Sequence, residues 1–134
     1  MVAIDRDTTA LKILAASWGD GPDVEILTAD LEDGTSWPLA LRQFAGIVAT
    51  NYLHRPLLPH LAGALAPGGI LIYETFAQGN ERFGRPSNPA FLLEPGELLV
   101  FAQRSNLIVQ EYFSGLAKQP HLAMIQRLAA QAPI

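Results

Sequence analysis

Two aspartates at the ends of short apolar runs carry the first chemical signal in this chain. Asp5 closes Val2-Ala3-Ile4-Asp5, and Asp30 follows the run 24–28 in Ala29-Asp30-Leu31. If both runs are strands of a parallel sheet, both carboxylates project from the edge where small molecules bind, outside the carboxyl ends of the strands. A carboxylate there accepts hydrogen bonds from both hydroxyls of a ribose, and an acidic group after the neighbouring strand can take the exocyclic amine of an adenine. Taken singly, each is equally an ordinary turn-forming or helix-capping aspartate. It is their pairing in consecutive βα units that favours a nucleotide site.

A second group follows a third apolar run. Asn51-Tyr52-Leu53-His54-Arg55 is the best candidate for substrate contact. His54 can serve as a general base near neutral pH, and Arg55 can hold an anionic substrate group. The competing role for Arg55 is to flank a surface helix opened by Pro56. Glu74 ends another apolar run and either lines the substrate pocket or is a solvated strand-end carboxylate. His54, His60 and His121 are too dispersed for a metal site, and the absence of cysteine excludes thiolate catalysis and Cys-based zinc sites. Neither a G-x-S-x-G elbow nor a P-loop occurs.

The elements that must position these residues read as alternating strands and helices. Strands are expected over 2–4, 24–28, 46–50, 70–75 and 107–113. A helix capped by Asp7 or Thr8 would bury Leu11, Leu14, Ala15 and Trp18 and stop at Gly19, Gly21 and Pro22. Pro56 opens a helix with Leu57, Leu58, Leu61 and Leu65 on one face, and Pro67-Gly68-Gly69 turns it into the next strand. Pro95 opens another, with Leu98, Leu99 and Ala102 as its apolar face. Residues 121–129 read as a final antiparallel strand. Strands apolar on both faces and joined by helices indicate a parallel sheet covered on both sides. Residues 77–89 lack periodicity, and Asn80, Glu81, Arg82, Phe83 and Arg85 make this segment a candidate lid.

Composition agrees with a single domain over residues 1–134. Of the 134 residues, 49% are hydrophobic and 16% charged, which suits a globular core. A net charge of −4 gives no electrostatic footprint for nucleic acid or an anionic membrane. With neither a signal-peptide pattern nor an apolar stretch near the ~20 residues that span a bilayer, the expectation is a soluble, cytoplasmic protein.

Val2–Asp5, Ala29-Asp30-Leu31, the strand and elbow at 48–51, the Pro-Gly-Gly turn and the strand 70–75 together resemble a class I, Rossmann-like S-adenosylmethionine-dependent methyltransferase. The likeness runs through nearly all of the chain in order and spacing, and is nearest the small tellurite-resistance-type enzymes. It implies an α/β fold with an open, mostly parallel sheet, helices on both faces and an antiparallel terminal strand. It also implies S-adenosylmethionine as cofactor, with Asp5 on the ribose and Asp30 and Leu31 at the adenine. Asn51 and Tyr52 would lie beside the methionine moiety and the methyl group, with a small molecule as acceptor. Methyl transfer from a sulfonium relies mainly on positioning and desolvation, so weak catalytic signatures do not count against it.

The departure matters as much as the likeness. The family's first strand, glycine-rich turn and helix precede the position of Asp5, where only four residues stand here, and no GxGxxG-like segment occurs. The chain therefore reads as this fold with the first βα unit missing, by N-terminal truncation, a mis-set start or degeneration of the domain. The alternative function is a catalytically inactive binding or interaction module. Because the missing strand would lie beside those ending in Asp5 and Asn51, the expectation is exposed strand edges and a homodimer, or else direct pairing of those two strands in a compacted sheet with a reduced pocket.

Overall fold

The computed structural model describes residues 1–18, 24–34 and 37–134. The chain divides into two compact units, Met1–Ala40 and Leu41–Ile134.

In the first unit, β1 (Val2–Asp5) pairs in parallel with β2 (Glu25–Thr28), with Asp5 opposite Thr28. The connection between them carries α1 (Thr8–Trp18). Asp7 starts α1 as its sequence suggests, its Oδ1 accepting the amides of Thr9 and Ala10 at 2.9 and 3.1 Å. These are two of the amides that lack a partner at a helix start. Leu11 is buried on its inner face. Gly19, Gly21 and Pro22, expected to stop the helix, lie outside the described residues.

The second unit is built on a four-stranded sheet in the order β3-β4-β6-β5. Its strands are β3 (Phe44–Thr50), β4 (Leu65–Phe76), β5 (Ile108–Ala117) and β6 (Ala123–Gln131). β3 and β4 are parallel, and β6 runs antiparallel to both of its neighbours, β4 and β5. Three strands therefore share a direction and only the last in sequence opposes them. Leu71, Tyr73 and Thr75 of β4 stand opposite Ala130, Leu128 and Gln126 of β6, and all six are buried. α2 (Leu58–Gly63) and α3 (Glu97–Arg104) supply Leu58, Leu61, Leu98, Phe101 and Ala102 to the core. The opposite face holds Val48 beside Ile72, 69% and 43% exposed.

Several elements depart from the periodicity reading in instructive ways. Pro56 opens a 3-10 turn, Arg55–Leu57, before the short α2, so the leucine face is kept but the helix is brief. Pro67-Gly68-Gly69 does not simply separate helix from strand. Leu65 already pairs with Phe44 and Ile70 with Gly46, so the turn is a bulge inside β4. The chain's end locks it: Gly68 N–H donates to Pro133 O at 3.0 Å, and Ala132 N–H to Gly69 O at 2.8 Å. α3 begins at Glu97, after Gly96 in the left-handed region (φ 72°), and buries Phe101 in place of the expected Leu99. Leu98, Phe101 and Ala102 are the i, i+3, i+4 set that one helical face requires.

Gly69 is the tightest point of the bulge. A Cβ there would stand 2.9 Å from both Ala66 O and Phe44 O, which are backbone atoms with little freedom to yield. Gly69→Ala is expected to lower stability by about 1–3 kcal/mol, the range for forced overpacking. Urea unfolding checks this, with a lowered midpoint at unchanged slope as the expected result.

Candidate functional site

In the first unit, the parallel register carries Asp5 and Asp30 to the same edge. Asp5 is the last residue of β1, Ala29 N–H donates to Asp5 O at 3.1 Å, and Asp30 follows directly. Each carboxylate turns one oxygen onto its own loop. Asp5 Oδ1 accepts the Asp7 amide at 3.0 Å, and Asp30 Oδ1 accepts the Glu32 amide at 2.9 Å. Both aspartates are thus turn formers as well as edge carboxylates. These bonds fix the carboxylate planes and leave lone pairs for a ligand's hydroxyls or amine, since an ionised carboxylate offers about four acceptor positions. Arg6 Nη1 stands 3.9 Å from Asp30 Oδ2 in an exposed pair, a contact of little energetic consequence.

In the second unit, the elbow after β3 is held at three points. Asn51 adopts the left-handed region at φ 53°, which asparagine tolerates better than most residues. Its N–H continues the ladder to Glu74 O at 2.9 Å. Tyr73, buried in the middle of β4, donates its hydroxyl hydrogen to Tyr52 O. Burial raises the Tyr73 phenol above its ordinary pKa, so it remains a neutral donor at physiological pH.

Arg55 makes the third attachment. Its Nε and Nη2 donate to Glu97 Oε2 and Oε1 at 2.8 and 2.9 Å, a two-pronged pair. Nη1 and Nη2 also donate to Ala90 O and Leu92 O at 3.1 and 3.0 Å. The guanidinium expected to bind substrate is thus engaged within the protein, and its bond to Glu97 raises its pKa. At Glu97, burial pushes the carboxyl upward. The bonds from Arg55 and from the Glu94 amide outweigh that and hold it below its ordinary value.

Glu74 lies on the other face of β4, directly opposite Arg127, with Oε2 2.8 Å from Arg127 Nε. Arg127 also lies over the Phe113 ring, 5.6 Å from its centroid. Tyr52 and His54 are half-buried in the elbow.

The segment read as a lid is anchored. Asn80 is 2% exposed, donating from Nδ2 to Pro86 O and accepting the Met124 amide on Oδ1, at 3.0 and 3.1 Å. Gln78 N–H donates to Leu93 O and Leu93 N–H to Phe76 O, tying the start of the segment and Leu93, a few residues beyond it, to the end of β4. Among the described residues no cluster of His, Cys, Asp and Glu has metal-binding geometry.

Periodicity overlooked three residues that organise this region: Tyr73, Glu97 and Gln126. Gln126 accepts the Leu98 amide and donates to Glu94 O, so β6 caps the start of α3. A phenol inside an apolar strand signals a buried hydroxyl needing a partner. No local pattern announces the partnership of Arg55 and Glu97, 42 residues apart.

No protein-family model matches the chain, and no curated protein sequence matches it. Solved structures do. The chain is similar to the N-methyltransferase NodS from Bradyrhizobium japonicum WM9, with TM-score 0.72 and 13% identity over 99% of this chain and 73% of that one. It is similar to TehB from Haemophilus influenzae, with TM-score 0.74 and 11% identity over 98% of this chain and 49% of TehB. A SAM-dependent methyltransferase from Methanosarcina mazei gives TM-score 0.70 and 12% identity over 99% and 82%. The chain has the class I methyltransferase fold. Within the first unit Asp5 and Asp30 follow the carboxyl ends of paired parallel strands, and within the second the Asn51 elbow follows that of β3; such ends are where open α/β sheets bind small molecules.

The elbow's attachments are open to direct measurement. Tyr73→Phe should cost about 1–2 kcal/mol by leaving the Tyr52 carbonyl without its donor, as read by denaturant unfolding. Glu97 contributes stability while it is ionised. Since its folded pKa is depressed, that contribution is present above the ordinary carboxylate range and is lost as pH falls through the lowered value. Glu97→Gln should lower stability at neutral pH and flatten the acid limb of the stability–pH curve.

Proposed function

We propose that this chain binds S-adenosylmethionine and transfers its methyl group to a small-molecule acceptor. The observation that carries this reading is the placement of Asp5 and Asp30 at the carboxyl ends of two paired parallel strands within a methyltransferase fold. Further support comes from NodS, which has also been solved with S-adenosyl-L-homocysteine bound. The edge carboxylates suit such a cofactor because each keeps acceptor capacity beyond its loop bond. Asp5 takes the ribose hydroxyls, while Asp30 and the Leu31 segment take the adenine. Asn51 and Tyr52 belong to the methionine and methyl side.

When bound, the cofactor supplies an electrophilic methyl on a sulfonium. The chain's own work is to orient the acceptor, exclude water and, where the acceptor must lose a proton, to take it up on His54. Glu74 meets a polar acceptor only in competition with Arg127, to which it is paired. Arg55 is likewise committed to Glu97.

The sequence contains no glycine-rich strand–turn–helix segment to bring backbone amides close to the cofactor's amino-acid portion. On that ground, binding of S-adenosylmethionine by these 134 residues alone is expected to be weak. We also propose self-association. Among the described residues, β3 has one strand neighbour, β4, and an unpaired edge templates pairing with another chain.

Asp5→Ala should weaken S-adenosylhomocysteine binding by about 1.5–3 kcal/mol, the range for a charged hydrogen-bond partner. Calorimetry tests it, and unchanged affinity removes Asp5 from the site. Light scattering at micromolar concentration is expected to give a mass above 14.5 kDa, with a strict monomer contradicting self-association.

A further inference from the structure

We propose that Arg55 and Glu97 are a positioning pair that welds the elbow after β3 to the 89–93 segment, making residues 77–93 a fixed wall instead of a moving lid. The proposal rests on the methyl-transfer reading only in assigning that wall to the acceptor side of the site.

The geometry is that of a clamp. Four donor–acceptor contacts leave one guanidinium: two to the Glu97 carboxylate and two to the carbonyls of Ala90 and Leu92. A guanidinium has five N–H donors in a rigid fork, so this arrangement uses most of its capacity. One carbonyl, of Ala90, lies in the 3-10 turn Pro89–Phe91 and the other, of Leu92, directly follows it; Asn88 caps that turn by accepting the Ala90 amide at 3.0 Å. Leu92 and Leu93 beyond that turn are 2% and 0% exposed, so the segment is packed as well as bonded.

Glu97 is itself held in place. Its Oε1 accepts the Glu94 amide at 2.9 Å while receiving Arg55, so the carboxylate closes the start of α3 and the elbow at once. At the far end, Asn80 ties the same segment to β6. The elbow has its own fixed points at Asn51 N–H and Tyr52 O. Removal of the fork therefore frees the 89–93 segment and the turn at Arg55–Leu57 while the sheet stays paired. An ammonium on a flexible stem cannot reproduce four directed bonds, so lysine is not an equivalent.

Amide hydrogen exchange on the full chain tests this with Arg55→Ala, Arg55→Lys and Glu97→Gln, alongside calorimetry with S-adenosylhomocysteine. The Leu57, Phe91 and Leu92 amides, bonded to His54 O, Asn88 O and Pro89 O, should exchange about tenfold faster in all three variants, while β4–β6 ladder amides keep wild-type rates. Arg55→Lys should fail to rescue these rates. No local acceleration, acceleration shared equally by the sheet, or full rescue by lysine overturns the pair as a positioning device. Binding of the probe by the wild-type chain bears on the methyl-transfer reading alone, and the exchange pattern decides the wall by itself.

Discussion

The second unit depends on β4 having a parallel partner on one side, an antiparallel partner on the other, and one wholly buried face. Leu71, Tyr73 and Thr75 form that face, all within 2% of complete burial. A strand so enclosed can carry a polar group only if the group is satisfied internally. Tyr73 meets that requirement by reaching Tyr52 O, and this links the centre of the sheet to the elbow at the end of β3. The Pro-Gly-Gly bulge at the opposite end is fixed by the chain's last residues. Both ends of β4 are thereby tied to segments distant in sequence, and the elbow inherits its geometry from the core.

That inheritance separates two kinds of polar residue near the carboxyl ends of the strands. Arg55 and Glu97 are charged but directed inward, against each other and against backbone carbonyls. Asp5 and Asp30 hold their loops with one oxygen each and keep capacity for a ligand. Charge alone does not distinguish the two; hydrogen-bond commitment does. The anchored segment around Asn80 makes the same point, because a loop rich in polar residues is held by a nearly inaccessible asparagine. Fold likeness at 11–13% identity establishes architecture, while chemistry has to be argued from such individual groups.

Much of the architecture was legible because it is local. The Asp7 cap, the apolar strands, the leucine face before the Pro-Gly-Gly turn and the antiparallel last strand all follow from neighbouring residues. Local pattern could not say that the last strand inserts between β4 and β5, since strand order is set by which apolar faces meet. It also missed Phe101 in place of Leu99, because α3 starts two residues after Pro95 and that phase decides the inner face. The bulge inside β4 depends on Leu65 finding Phe44. Arg55 read as a ligand group because its neighbours in sequence are polar, whereas its neighbours in space are Glu97 and two carbonyls.

The most direct test of the cofactor reading is a backbone amide chemical-shift titration with S-adenosyl-L-homocysteine on the full chain. The account predicts shifts concentrated at Asp5, Asp30, Leu31, Asn51 and Tyr52, with the β5 amides of Val109 to Phe113 unmoved. Shifts confined to β5 and β6, or a spectrum unchanged at saturating ligand, would contradict it.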